Sequence, residues 1–362
     1  MILIFSFYKP AYKVGGPVKS VVELVSILND EILILSPKND LDGTIIPYKN
    51  FPKIQIETYN IFSTYIFFKL VNKKRINKIY LNSIFDFENI ILSIFYRSFY
   101  KTKIILSPRG QLMTGALSIK KFKKYIYFFF FKRIINYIDI IHFTDILEKN
   151  EFENLNIKFL NKKIIIPNLI DFNLYDNNTI VKPNKSKLNC IFYSRIVKKK
   201  NLYTLLNLFS KLEKSKYTLS IYGIIEDQNY WQSCKIFLKD NIFYKGEIKS
   251  NIGIKSIFSN HDLFILLTDS ENFGHVLYEA ILCKLPLLIT DKTPFTEDII
   301  KYDLGKIIYN FSDFNLTIDL IYNIIKNNPY FYQNNIINYI EHNLLSNNNN
   351  NKEKYKNLFH GN

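Results

Sequence analysis

The chain has 362 residues, a formal net charge of +16 and 48% hydrophobic residues, which suits two domains with sizeable cores at roughly 100–200 residues each. Three scattered cysteines, Cys190, Cys234 and Cys283, form no C-x-x-C pair and no zinc spacing, so they read as buried thiols of a reducing compartment. Lys, Asn and Ile crowd the chain, and no RRM, KH or helix-turn-helix pattern accompanies the charge, so nucleic acid is not an expected partner.

Met1 to Tyr8 is apolar and lacks a basic n-region or a small-residue cleavage site, so it reads as a first strand rather than a signal peptide. No apolar run approaches the roughly 18–20 residues of a membrane span, and the expectation is a cytoplasmic protein, soluble or peripheral at the inner face of the membrane. Strands are expected at Ile2–Phe7, Ile32–Leu35, Lys78–Leu81, Lys103–Leu106, Ile138–Phe143 and Ile164–Ile166. Gly15-Gly16-Pro17 separates the first strand from a helical stretch, Val18 to Leu28. Asp40-Leu41-Asp42 is formally a metal-binding D-x-D, but its early-loop position reads as a turn. Lys120 to Arg133 sets basic residues at both ends of an aromatic core, which suits either a core helix with wet lysines or an anionic lipid surface.

Asp171 to Lys187 is polar and reads as a linker. It divides residues 1–170, with a terminal helical piece at 352–362, from residues 188–351. Further strands are expected at Asn189–Tyr193, Tyr217–Tyr222, Ile242–Tyr244, Leu263–Leu267 and Leu287–Thr290. The Asn-rich tract Asn347 to Asn351 reads as a loop before Lys352 to Phe359. Alternating strands and helices predict an α/β architecture with parallel sheets in both halves.

The most pointed stretch runs from Thr268 to Ala280. A buried strand, a tight loop and a helix start expose unpaired backbone N–H groups beside the positive end of the helix dipole, which suits a diphosphate. Gly274 permits close approach of the backbone to a ligand. Glu271 sits in the loop and Glu279 two turns into the helix, too far apart in the motif to form one acid/base dyad.

Ser270-Glu271-Asn272-Phe273-Gly274-His275-Val276, followed by Glu279-Ala280, resembles the E-x7-E segment of retaining GT-B glycosyltransferases, most closely family GT4. The resemblance implies a GT-B fold: two Rossmann-like domains facing across a cleft. It also implies that Glu271 meets the donor sugar and Glu279 the nucleotide ribose, with Asn272, Phe273 and Gly274 in the donor loop. Tyr193-Ser194-Arg195 to Lys200 resembles the family's G-R-x-x-x-x-K, whose cations Arg195 and Lys200 would hold the donor phosphates. Ser194 departs from the usual glycine. Gly15-Gly16-Pro17 resembles the first-loop G-G-P and places Gly16 near the donor. Phe243 to Ile248 resembles the segment beside the nucleotide base, where main-chain groups around Ile248 would read the base edge.

On the acceptor side, Ser107-Pro108-Arg109-Gly110-Gln111-Leu112 resembles an S-P-R/H-G-x-L segment and makes Arg109 a candidate. His142, in Ile141-His142-Phe143-Thr144 with Glu148 downstream, resembles an H-x-T segment. Thr293-Pro294-Phe295 resembles a T-P-W that packs the cleft edge. The resemblance implies sugar transfer from a nucleoside-diphosphate donor to a glycan or lipid-linked glycan, without a metal cofactor. No enzymic nucleophile stands out, so front-face attack with the leaving phosphate accepting the acceptor proton is the expected route to retention. A sugar-nucleotide epimerase of the same fold, or a silent glycan- or membrane-binding protein, is the alternative.

Overall fold

The computed structural model describes residues 1–11, 14–40, 43–60, 62–71, 75–112, 121–176, 186–248 and 251–361. They fall into two compact units, Met1–Leu169 with Asn349–Asn362, and Ile170–Asn348.

The first unit holds a seven-stranded parallel sheet: β1 (Ile2–Phe5), β2 (Ile32–Pro37), β3 (Ile54–Tyr59), β4 (Lys78–Leu81), β5 (Lys103–Leu106), β6 (Ile140–Phe143) and β7 (Lys162–Ile165), in the order β3-β2-β1-β4-β5-β6-β7. The central strands are runs of Ile, Leu and Phe because helices cover both of their faces. One face packs Leu3, Ile79 and Ile104 against Tyr96 and Phe131, and the other packs Ile4, Tyr80 and Ile105 against Val21 and Leu24.

The second unit repeats the plan with six strands: β8 (Leu188–Tyr193), β9 (Tyr217–Tyr222), β10 (Ile242–Gly246), β11 (Leu263–Leu266), β12 (Leu287–Thr290) and β13 (Gly305–Ile308), ordered β10-β9-β8-β11-β12-β13. Both sheets are parallel throughout, and in both the chain winds outward from the first strand before crossing to its other side. That reversal opens a crevice at the carboxyl ends of β1 and β4, and again at those of β8 and β11.

Two strands were not expected from sequence, β3 and β13. Both are edge strands: β3 alternates polar and apolar residues, and β13 is only half-buried. Neither therefore shows a continuous apolar run. The Asn-rich tract is not a loop but part of the helix Leu345–His360. Asn348 is buried there, its Oδ1 accepting from the Ile170 backbone N–H at 3.0 Å. A tertiary hydrogen bond thus overrides the weak helix propensity of Asn. Farther along the same helix, Tyr355, Leu358 and Phe359 enter the core of the first unit, with the Phe359 ring 5.6 Å from that of Tyr80.

Of the expected linker, Phe172–Leu174 forms a 3-10 turn capped by Asp171, with Leu174 buried in the core of the second unit. Residues 177–185 lie outside the described residues, as do Lys120 of the basic segment and Leu41 and Asp42 of the D-x-D. Asp40 itself is in a turn, its carbonyl accepting from Gly43 N–H at 2.9 Å. All three cysteines are buried thiols. Among the described residues no helix is long and apolar enough to cross a membrane.

Candidate active site

In the second unit, the loops after β8 and β11 flank the point where the strand order reverses, and they are stitched together there. The Lys199 carbonyl accepts from Asp269 N–H at 3.0 Å and from the Thr268 hydroxyl at 3.1 Å. Thr290 Oγ1 donates to the Thr268 carbonyl at 2.6 Å, and Glu271 N–H donates to the Lys292 carbonyl at 2.9 Å. Backbone on three sides is therefore fixed before any side chain is considered.

Across this junction Lys200 pairs with Glu271. Their side chains are only 9% and 16% exposed, so each charge depends on the other for compensation. Lys200 closes the 3-10 turn Lys198–Lys200, and Asn201, in the left-handed region at φ 53, starts the helix Leu202–Phe209. Desolvation lowers the Lys199 pKa; the Glu271 charge opposes that shift, and the charges of Lys200 and Arg195 add to it.

Arg195 does not join the Lys200–Glu271 pair. It reaches Glu226 at 2.7 Å, an exposed contact that nothing in the sequence motif signalled. Gly274 caps the helix His275–Leu282 at φ 73. A Cβ there would lie 3.0 Å from both Glu271 Cγ and Leu277 Cδ1, so a side chain would be opposed by the positive φ and would push both neighbours aside by a few tenths of an ångström. Asn272 is half-buried, whereas Glu279 is buried in the second turn of the helix. Phe273 stacks on Tyr278 at 4.5 Å, His275 meets the Phe273 ring edge at 4.7 Å, and Tyr278 meets Phe295 at 4.6 Å. This aromatic file sets the loop against the core, and Phe295 of Thr293-Pro294-Phe295 is its buried end. Ile248 is half-buried after β10, a strand two places from β8 in the sheet.

Gly223, which carries no motif, approaches the same junction closely. With φ 147, a Cβ on it would lie 1.8 Å from the Ser194 carbonyl oxygen.

The first unit builds a different site. Gly15, at φ 74, caps the helix Gly16–Ser26, and a Cβ on it would meet nothing within 4 Å. Asn82, after β4, bonds the Ser6 hydroxyl at 2.9 Å across the strand reversal. Arg109, at φ 52, donates to Asn82 Oδ1 at 2.7 Å, to the Tyr80 hydroxyl at 2.7 Å and to Asn168 Oδ1. Tyr80 in turn lies 2.9 Å from His142 Nδ1, and His142 Nε2 lies 2.8 Å from the Ile166 carbonyl. A carbonyl only accepts, so Nε2 bears the proton and Nδ1 accepts from Tyr80. Glu148 accepts from Thr144 N–H at 2.9 Å and from Gly110 N–H, fixing the Arg109 loop. His142 is fully buried with both nitrogens engaged, so no face of it is open to an acceptor; it holds Tyr80, which holds Arg109. Tyr80, Asn82 and Asn168 are polar residues at or beyond strand ends, the one sequence signal that could have marked them.

Residues 176–342 match the family model of glycosyl transferases group 1, and this stretch contains the whole Lys200–Glu271 junction. The match covers less than half of the chain, all of it in the second unit. The chain is 24% identical over 227 residues to an uncharacterised 41.2 kDa protein in the cps region of Klebsiella pneumoniae, a match covering 61% of each chain. The chain thus spans less than two thirds of that relative's length. In fold it is similar to WaaG, a glycosyltransferase involved in lipopolysaccharide biosynthesis (TM-score 0.73, 12% identity, 99% of this chain and 100% of that one). It is also similar to Anabaena HepE in complex with UDP and glucose (TM-score 0.70, 14% identity, 97% and 98% covered). These likenesses establish a GT-B fold of two parallel α/β sheets.

Burial and then the Arg109 charge push the His142 pKa from 6.5 down to about 3. Between those values the unfolded chain binds a proton that the folded one refuses, so stability is present above pH 6.5 and is lost as pH falls towards 3. The effect is on the order of 5 kcal/mol. The His142→Gln variant should show a flatter fall of Tm with acid in this window. An acid limb as steep as wild type would contradict the assignment.

Proposed function

We propose that the protein is a glycosyltransferase that works in the cytoplasm and moves a sugar, with retention, from a nucleoside-diphosphate donor to a glycan or lipid-linked glycan. The second unit would take the donor and the first the acceptor. The observation that carries the reading is the Lys200–Glu271 pair at the strand reversal, beside the helix that Gly274 caps. A sugar diphosphate changes at its anomeric carbon from anionic phosphate to neutral hydroxyls. A cation and a carboxylate held side by side match that change, Lys200 meeting the phosphate and Glu271 the sugar hydroxyls. Arg195 would leave Glu226 for the phosphates at little cost, because an exposed ion pair contributes only about 0–1 kcal/mol. Asn272, Phe273 and the helix N-terminus would line the diphosphate, Glu279 would hold the ribose and Ile248 the base. Arg109, kept in place by Tyr80, Asn82 and Asn168, is the acceptor-side candidate.

The UDP in the HepE structure makes a uridine donor the first to test. The cps-region relative and the likeness to WaaG support an acceptor in surface polysaccharide or lipopolysaccharide synthesis. A thermal-shift screen of the full chain against UDP, GDP and ADP tests the reading. Saturation at a hundred times Kd adds about 2.7 kcal/mol, so one nucleotide should raise Tm clearly, and Arg195→Ala should lose most of that rise. No rise with any nucleotide would favour a silent glycan-binding protein.

A further inference from the structure

The helices Thr64–Val71, Phe87–Phe99 and Lys121–Ile134 cover one face of the first sheet, and each is apolar on its outer side as well. In Phe87–Phe99 the inner side buries Asn89, Ile90, Leu92, Ser93 and Tyr96, whereas Phe87, Ile91, Phe95 and Phe99 form an exposed row at four-residue spacing. In Lys121–Ile134 the inner side buries Phe128 and Phe131, while Phe122, Tyr125, Phe129 and Phe130 face out, Phe122 and Tyr125 each 75% exposed. Phe68 meets Phe95 at 5.8 Å, which joins the first two helices at their outer side, and Phe87 meets the half-buried Tyr127 of the third helix at 5.7 Å. Exposed aromatic residues gathered on one side of a unit mark an interaction site.

Its charge names the occupant. Lys123, Lys132 and Arg133 are exposed among the rings, and Arg133 lies 4.0 Å over Phe129. The nearby acids are engaged internally: Glu88 accepts from Thr64 N–H at 3.0 Å and Asp139 pairs with Arg97 at 2.8 Å. The surplus on this face is therefore positive. A second copy would set the same cations against each other, whereas an anionic leaflet offers phosphates to the cations and acyl chains to the rings. We propose that the outer face of these three helices docks the first unit on an anionic lipid surface. The inference stands apart from the nucleotide reading, since it uses none of the donor-side residues.

Flotation of the full chain with phosphatidylglycerol–phosphatidylcholine vesicles, and with phosphatidylcholine alone, tests it. Wild type should float only with the anionic vesicles, and less so as salt rises. The exposed pairs Phe95→Ser/Phe99→Ser and Lys132→Gln/Arg133→Gln should each lower partitioning by about tenfold or more while keeping wild-type Tm. Lack of flotation with anionic vesicles, or variants that float like wild type, would overturn the proposal. So would a concentration-dependent dimer that the Phe95→Ser/Phe99→Ser variant dissolves without any vesicle binding. Nucleotide-induced thermal shifts on the same samples report the donor site separately.

Discussion

Replacing Lys200 with Met should abolish most sugar transfer, lowering turnover by roughly 100- to 1000-fold, the scale for loss of one preorganised group that stabilises developing charge. It should also weaken folding by roughly 3 kcal/mol, because Glu271 would be left nearly buried without its cation. The two losses separate in the double variant Lys200→Met/Glu271→Gln. Removing both charges should restore much of the stability yet leave turnover as low as in the single variant. Double-variant transfer near the wild-type rate would show that the pair is merely structural.

The second large effect concerns Gly223. An alanine there would put its Cβ 1.8 Å from the Ser194 carbonyl oxygen, a contact with backbone that no rotamer change relieves. The conformation, at φ 147, is itself one that side chains resist. Gly223→Ala should therefore cost more than about 4 kcal/mol, enough to unfold the second unit or displace the β8 loop. Gly15→Ala provides the control, since its Cβ would meet nothing within 4 Å and only the positive φ opposes it. That change should cost about 1–3 kcal/mol, the scale for a side chain held in a sparsely populated backbone region. Urea denaturation measures both, and equal midpoints for the two variants would refute the steric account.

The ease with which this fold reads from sequence follows from burial. Strands covered on both faces, such as Ile2–Phe5 and Leu263–Leu266, are unbroken apolar runs. The edge strands β3 and β13 face solvent in part and lose that mark. The Asn tract misleads because Asn348 gains a tertiary partner that propensity does not include. At the junction, Lys200 and Glu271 are legible through their resemblance to the family's motifs, and Gly274 also because a strand–loop–helix turn favours glycine there. Their mutual pairing is not legible, since residues 71 positions apart meet only through the order of β8 and β11. Glu226 and Gly223 follow β9 and reach the junction in the same way. His142 reads as a candidate from its resemblance to an H-x-T segment, and only the packing of Tyr80 and Tyr355 reveals it as a buried support for Arg109.

The central claim is that donor nucleotide binds where the strand order of the second unit reverses. Hydrogen–deuterium exchange of the full chain, with and without the nucleotide that gives the largest thermal shift, tests it most directly. The account predicts slowed exchange in the loops 194–201 and 268–275, with the outer-face helices of the first unit unchanged. Protection confined to other segments, with those two loops exchanging as in the free protein, would contradict it.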